Sequence, residues 1–114
     1  KDIIIRGGEN ISPAEMESLI RAHPDVEDVA VVGMPDPDLG ERACAYVKPR
    51  SKTRPALDDI VSFLKSRGAS VLQFPERIEL IRQIPLTRIG KADKRALRED
   101  IKKRLDVEKS RQGI

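Results

Sequence analysis

The chain has 114 residues, of which 36% are charged and 3% are aromatic, and its formal net charge is +3. This length fits one domain, and its core must be aliphatic because the sequence has no Trp, one Tyr and two Phe. One cysteine and one histidine exclude an internal disulfide and a Cys/His metal cluster. With no signal peptide or membrane-spanning run visible, we expect a globular protein of the reducing cytoplasm.

The first part of the sequence predicts a β-hairpin followed by a helix. Residues 1–11 combine a β-branched run with a pair of glycines, which is typical of a strand and a tight turn. The run Ser12-Pro13-Ala14-Glu15 predicts a helix start with a capping box. The apolar stripe at helical spacing consists of Met16, Leu19 and Ile20.

The remainder predicts a second hairpin, a helix, a strand and a last helix. Residues 26–32 and 42–47 are predicted strands joined by a turn over 34–40, and 57–64 are a predicted amphipathic helix. A strand is predicted over 77–81. The last helix is indicated by Ala96, Leu97, Ile101 and Leu105. This order predicts an α+β fold, in which about three helices flank a small, mostly antiparallel sheet with an N-terminal hairpin.

Positive charge is concentrated near the C-terminus. From Lys91 onward there are nine basic and five acidic residues, and we expect 106–114 to form a basic tail that frays. A basic helix can bind nucleic acid or an acidic protein partner, so a free-standing basic module is one alternative. A solvated face of mixed charge is the interpretation we favour, because no aromatic side chains are interleaved for base stacking.

Two glycine-bearing loops, residues 5–10 and 85–94, invite a phosphate-binding interpretation. A P-loop is excluded, because Pro85 stands where a glycine is needed and Ala92 stands where Ser or Thr is needed. Lys91 precedes a predicted helix start, where its charge opposes the helix dipole. This unfavourable placement weakly indicates a functional cation.

Several segments resemble the C-terminal domain of the adenylate-forming superfamily, which includes acyl-CoA synthetases, luciferases and the adenylation domains of peptide synthetases. They follow in the family's order from residue 1 to about 105, and we identify 1–105 as this domain. The matching segments are residues 1–17, 23–26, 31–36, 40–41, 74–78 and 86–98. The sequence is most similar to aryl-acid–AMP ligases, of which the 2,3-dihydroxybenzoate–AMP ligases are the nearest type.

The resemblance implies a reaction in two steps. ATP, with Mg²⁺, and a carboxylic acid give an acyl-adenylate, and a thiol of CoA or of a carrier protein's phosphopantetheine then displaces AMP. The acid pocket would lie in an N-terminal domain that is missing here, and the chain's opening without methionine suggests a fragment. We expect the domain alone to be inactive, because nothing in it can bind adenine or the acid, and to bind no metal, nucleic acid or membrane.

The resemblance also assigns residue roles. Lys91 matches the lysine that enters the active site during adenylation, and Lys1 matches the hinge about which the domain turns. Gly7, Gly8 and Glu9 match the loop that lines the thiol tunnel in the second step. Elsewhere in the same pattern, Glu17 and Glu41 are interpreted as structural anchors.

Overall fold

The sequence folds as predicted into an α+β domain, seen in a computed structural model that describes residues 2–112. The elements are β1 (Ile4–Arg6), β2 (Glu9–Ile11), α1 (Pro13–Arg21), β3 (Val26–Asp36), β4 (Gly40–Pro49), α2 (Leu57–Ser66), a 3-10 turn (Val71–Gln73), β5 (Arg77–Leu80) and α3 (Lys94–Gln112). The five strands form one sheet in the order β2-β1-β4-β3, and β5 lies parallel to β4 while every other pair is antiparallel. The predicted N-terminal hairpin is therefore β1 with β2.

Strands β3 and β4 are buried on both faces, which divides the core into two layers. Val31 of β3 packs with α1 and α2, whereas its neighbour Val32 packs with α3 on the other face. Successive side chains of a strand point to opposite faces, so a continuous apolar run serves both layers. The hairpin joins the α1/α2 layer through Ile4 and Ile11, which are paired across β1 and β2.

Helix α1 begins as predicted, but its capping box is only half formed. Ser12 Oγ accepts a hydrogen bond from the backbone N–H of Glu15 at 3.2 Å, which satisfies one free donor of the first turn. The Glu15 carboxylate instead accepts from Gln73 Nε2 at 3.4 Å. The reciprocal half of the box is replaced by a contact with the 3-10 turn.

The central hairpin is longer than predicted, and its turn contains only residues 37–39. The predicted turn over 34–40 was too wide, because Pro35 pairs with Glu41 inside the ladder. Proline is tolerated there because β3 is an edge strand, so its missing N–H costs no bond to another strand. The Asp36 carboxylate closes the turn by accepting from the backbone N–H of Leu39 at 2.9 Å.

Helix α3 continues through Gln112, beyond the point at which the sequence was expected to fray. Arg77 of β5 binds the Glu108 carboxylate, with Nη1 3.0 Å from Oε1, and this ion pair holds the C-terminal turns against the sheet. Leu97 and Ile101 are buried as predicted and Leu105 is partly buried, whereas Ala96 is exposed and does not belong to the apolar stripe. Seven of the eight basic residues of this helix are exposed.

Candidate functional site

Lys91 is presented by a tight turn formed by residues 86–92. The backbone N–H of Gly90 donates to Thr87 O at 3.0 Å, and the N–H of Thr87 donates to Lys91 O at 2.7 Å. Gly90 has a φ of +84°, which lies in the left-handed region that glycine adopts easily. Three-residue hairpin loops commonly place such a residue directly after a type I turn. Lys91 therefore projects from a short, hydrogen-bonded loop just before α3, and its residue is exposed.

A shallow depression of about 500 Å³ lies beside Lys91 and has positive charge. Its lining consists of Asp2, Lys91, Ala92, Lys94 and Arg98. Lys94 pairs with Asp2 and with Glu17, whose Oε2 lies 2.6 Å from its Nζ. Within residues 2–112, neither Lys91 nor Arg98 has a side-chain partner, so two uncompensated cations face a surface open to an anion.

Gly7 and Gly8 form the two-residue turn between β1 and β2. Their φ values are +55° and +86°, which define a type I′ turn, and the flanking residues Arg6 and Glu9 pair across it. The backbone N–H of Gly7 donates to Leu39 O at 2.8 Å. A Cβ at Gly7 would lie 3.2 Å from Leu39 Cδ2, whereas a Cβ at Gly8 would meet nothing within 4 Å. The turn thus offers bare backbone to the surroundings, and Glu9 beside it is exposed.

The two loops lie at opposite ends of β1 and do not form a single site. Lys94, three residues after Lys91, binds Asp2 ahead of β1, whereas Gly7 directly follows the last residue of β1. The structure therefore separates the lysine that the sequence singled out from the glycines. Lys1, the residue interpreted as a hinge, lies outside the described residues.

Glu17 and Glu41 act as structural anchors, as the sequence analysis proposed. Glu17 Oε2 accepts from the backbone N–H of Val31 at 2.8 Å and so joins α1 to β3. Glu41 Oε1 accepts from the N–H of Ile5 at 2.9 Å and holds β1. The Glu41 carboxylate fills the space where a side chain at position 33 would begin, which explains Gly33.

An ion cluster beside the Gly7-Gly8 turn was not predicted from the sequence. Glu76 binds both Arg6, at 2.6 Å from Nε, and Arg42, at 2.8 Å from Nη1. The Arg6 hydrogen bond, supported by Arg42, holds the pKa of Glu76 below its usual range. Glu76 is separated from Arg6 by 70 positions, and no local pattern marks the pair.

Comparison with known proteins identifies the family. The family described as the AMP-binding enzyme C-terminal domain matches residues 15–91, more than half of the chain. The 2,3-dihydroxybenzoate-AMP ligase of Bacillus subtilis is 43% identical over 105 residues, and the medium-chain fatty-acid–CoA ligase of Escherichia coli is 43% identical over 106. The apo structure of MbtA from Mycobacterium smegmatis has a TM-score of 0.82 at 35% identity and matches 87% of the chain. The chain belongs to the AMP-binding C-terminal domain family of adenylate-forming enzymes.

The chain spans about a fifth of these relatives. The matches to the Bacillus subtilis and Escherichia coli enzymes cover 92% of this chain but only 19% of each enzyme. The match to MbtA likewise covers only 19% of the MbtA chain. The match confirms the resemblance found in the sequence, and the comparisons do not support a free-standing basic module. Of the helices described in residues 2–112, none is long and apolar enough to cross a membrane.

Proposed function

We propose that this chain is the mobile C-terminal domain of an ATP-dependent ligase that activates a carboxylic acid as its adenylate and transfers the acyl group to a thiol. An N-terminal domain would hold ATP, its Mg²⁺ and the acid, and CoA or a carrier protein's phosphopantetheine would supply the thiol. One observation carries the proposal: a chain of this family holds Lys91 exposed on a hydrogen-bonded turn, without a partner among residues 2–112.

Lys91 is the proposed catalytic residue of the adenylation step. When an acid carboxylate approaches the α-phosphate of ATP, two negatively charged groups are brought together, and a positioned ammonium offsets that charge. The fit to a polyanion is supported by the depression beside Lys91, where Arg98 adds a second uncompensated cation. No cluster of three metal-ligating side chains occurs in the described part of the chain, so we assign Mg²⁺ binding to the N-terminal domain.

The turn at Gly7 and Gly8, with Glu9 beside it, is the proposed wall of the thiol tunnel. Its two glycines have no side chains, and the Gly8 side of the turn is open, because a Cβ there would meet nothing within 4 Å. A pantetheine arm can approach such a backbone without meeting a Cβ. The open space around a Cβ at Gly8 is the space that we assign to the arm.

Lys1 is the proposed hinge for a rotation that exchanges the two loops. The Lys91 loop and the Gly7-Gly8 turn lie at opposite ends of β1, so one orientation of a rigid domain can present only one of them to a fixed active site. Rotation about the residue that precedes Asp2 would bring the other into place. The distance between the two loops supports the proposal that the Lys91 loop serves adenylation and the Gly7-Gly8 turn serves thiol transfer.

An aryl acid is the proposed substrate. This choice of acid rests on the relatives whose names specify an aryl acid. The name of the Bacillus subtilis relative specifies 2,3-dihydroxybenzoate, whereas that of the equally identical Escherichia coli relative specifies medium-chain fatty acids. The proposal therefore has to be tested with both classes of acid.

The experiment is pyrophosphate exchange into ATP by the full-length ligase and its Lys91→Ala variant. Losing one transition-state cation should slow exchange by roughly two to three orders of magnitude. Arg88→Ala is the matched control, because Arg88 is an exposed cation of the same loop, and it should change exchange by less than about threefold. Exchange with 2,3-dihydroxybenzoate but not with octanoate supports the aryl acid. Normal exchange by Lys91→Ala would refute the proposed role of Lys91.

A further inference from the structure

The carboxylate of Glu76 connects two arginines that lead to the Gly7-Gly8 turn. Arg6, the last residue of β1, donates from Nε to Glu76 Oε1 at 2.6 Å and from Nη2 to Oε2 at 3.2 Å. Such a bidentate pair fixes the orientation as well as the position of the guanidinium. The Glu76 backbone N–H donates to Ala43 O at 2.9 Å, so the carboxylate is itself anchored to β4.

A second set of contacts leads from Glu76 to the same turn through the central hairpin. Arg42 donates from Nη1 to Glu76 Oε2 and from Nε to Asp36 Oδ1, both at 2.8 Å. The other oxygen of Asp36 accepts from the backbone N–H of Leu39, and Leu39 O accepts from the N–H of Gly7 at 2.8 Å. Two sets of contacts therefore connect the Glu76 carboxylate to the turn, one through Arg6, which precedes Gly7, and one that ends at the Gly7 N–H.

The turn has few other restraints. Strands β1 and β2 have three residues each, and the contacts that hold them lie away from the turn, with Ile4 and Ile11 in the core and Glu41 at the N–H of Ile5. Glycine also loses more conformational freedom on ordering than any other residue, and Gly7 and Gly8 occupy the whole turn. Contacts from outside the hairpin are needed to keep its backbone in one conformation.

We propose that Glu76 is a positioning residue that holds the Gly7-Gly8 turn in the conformation required for thiol transfer, acting through Arg6 and Arg42. The inference rests on the proposed function of the turn. It assigns no contact with substrate to Glu76. It requires that loss of the carboxylate impairs the use of the thiol while adenylation, which depends on the opposite end of β1, is preserved.

The test is a comparison of Glu76→Gln and Glu79→Gln in the full-length ligase. Glu79 is a matched control on β5, because it also binds two arginines: its Oε2 lies 2.7 Å from Arg77 Nε and its Oε1 3.1 Å from Arg104 Nη1. The two carboxylates are similarly shielded, with side chains 25% and 16% exposed. Glu79 faces α3, however, and its ion pairs among residues 2–112 lead to Arg77 and Arg104 and not to the turn.

The measurements are the KM for the thiol and the rate of thioester formation from a supplied acyl-adenylate, together with pyrophosphate exchange. We expect Glu76→Gln to raise the thiol KM by about three- to tenfold, the scale of losing charged hydrogen bonds that are partly exposed. Exchange by the same variant should stay within about twofold of the parent, and Glu79→Gln should leave both measurements unchanged. An unchanged thiol KM in Glu76→Gln, an equal change in Glu79→Gln, or equal loss in both half-reactions would overturn the proposal.

Two further variants keep the result interpretable. If Glu76→Gln is too unstable to assay, Arg42→Met interrupts the second set of contacts and must raise the thiol KM in the same way. Gly8→Leu tests the turn itself. If Gly8→Leu leaves thioester formation intact, the proposed function of the turn is wrong, and the role of Glu76 is wrong with it. If Gly8→Leu impairs that step and Glu76→Gln does not, only the role of Glu76 is wrong.

Discussion

The ammonium of Lys94 lies 2.6 Å from Glu17 Oε2, and the same oxygen accepts the backbone N–H of Val31 at 2.8 Å. One carboxylate therefore joins the first turn of α3 to α1 and β3, and both charged side chains are largely shielded, at 18% and 16% exposure. Lys91, only three residues before Lys94, is exposed. Two lysines three residues apart thus differ in their surroundings: Lys94 is used for packing, whereas Lys91 is available to an external anion.

Replacing Lys94 by methionine should destabilise the domain by about 1–2 kcal/mol, because the shielded Glu17 carboxylate loses part of its compensation. Arg21→Met is the control, because the Arg21–Asp28 pair is 3.4 Å long and its side chains are 50% and 45% exposed. That exposed pair should contribute less than about 0.5 kcal/mol. Urea unfolding of both variants gives the two changes in the free energy of unfolding. Equal changes would show that shielding from solvent does not make the Lys94–Glu17 pair more stabilising than the Arg21–Asp28 pair.

Removing the Tyr46 hydroxyl should destabilise the domain in a pH-dependent way. The hydroxyl donates to Asp100 Oδ2 at 2.6 Å, and this bond, with help from Arg104, holds the pKa of Asp100 below its usual 3.8. A carboxyl with a depressed folded-state pKa contributes stability above its unfolded pKa and loses it as the pH falls. Tyr46→Phe should therefore cost about 1 kcal/mol at pH 7.

The same comparison at low pH is the check on that prediction. The gap in unfolding free energy between the parent and Tyr46→Phe should narrow as the pH falls below about 4, because Asp100 is protonated first in the unfolded state and, at lower pH, in the folded parent. The phenylalanine ring retains the buried packing of Tyr46 in both measurements. A gap that is as wide at pH 3 as at pH 7 would contradict the assignment to Asp100.

Local signals predicted most of the fold, and contacts distant in sequence account for what was missed. Ser12 marks a helix start by a bond to a residue three positions away, so its effect is visible in the sequence. The direction of β5 was not predicted, because its pairing with β4 joins residues more than 30 positions apart. The helix beyond residue 106 was likewise missed, since the Arg77–Glu108 pair that supports it spans 31 positions.

In the candidate site, too, residues in local motifs were predicted, whereas contacts between residues distant in sequence were not. Family resemblance singled out Lys91, Gly7 and Gly8 because they stand in recognisable motifs. Glu76 and Arg6 also lie in segments that resemble the family, but no role was assigned to them, because their contact depends on the fold that brings β1, β4 and the start of β5 together. Which residues serve as the partners of Glu76 could be learned only from the structure.

Gly90 should be needed to place Lys91, and Gly68 provides a matched control. Both have left-handed φ values, +84° and +80°, and neither would have a neighbour within 4 Å of a new Cβ. Alanine at either position should cost about 1 kcal/mol of stability through backbone strain alone. Gly68 ends α2, far along the chain from Lys91, whereas Gly90 shapes the turn that carries it.

In the full-length ligase, we therefore expect Gly90→Ala to slow pyrophosphate exchange by about tenfold, since small misplacements of a catalytic group are costly. Gly68→Ala should leave exchange unchanged, and both variants should unfold at similar urea concentrations. Equal effects on exchange would mean that the strain acts through stability and not through the position of Lys91.

The most direct test of the two-loop account is to assay the two half-reactions separately in Lys91→Ala and Gly8→Leu variants of the full-length ligase. Pyrophosphate exchange reports adenylation, and AMP release from a supplied acyl-adenylate in the presence of thiol reports transfer. Lys91→Ala should lose roughly two to three orders of magnitude in exchange and retain transfer, because the proposed role of its cation is confined to the first step. Gly8→Leu should retain exchange and lose transfer, because its side chain would enter the thiol tunnel. If both variants fail in the same half-reaction, the proposal that the Lys91 loop serves adenylation and the Gly7-Gly8 turn serves thiol transfer is wrong.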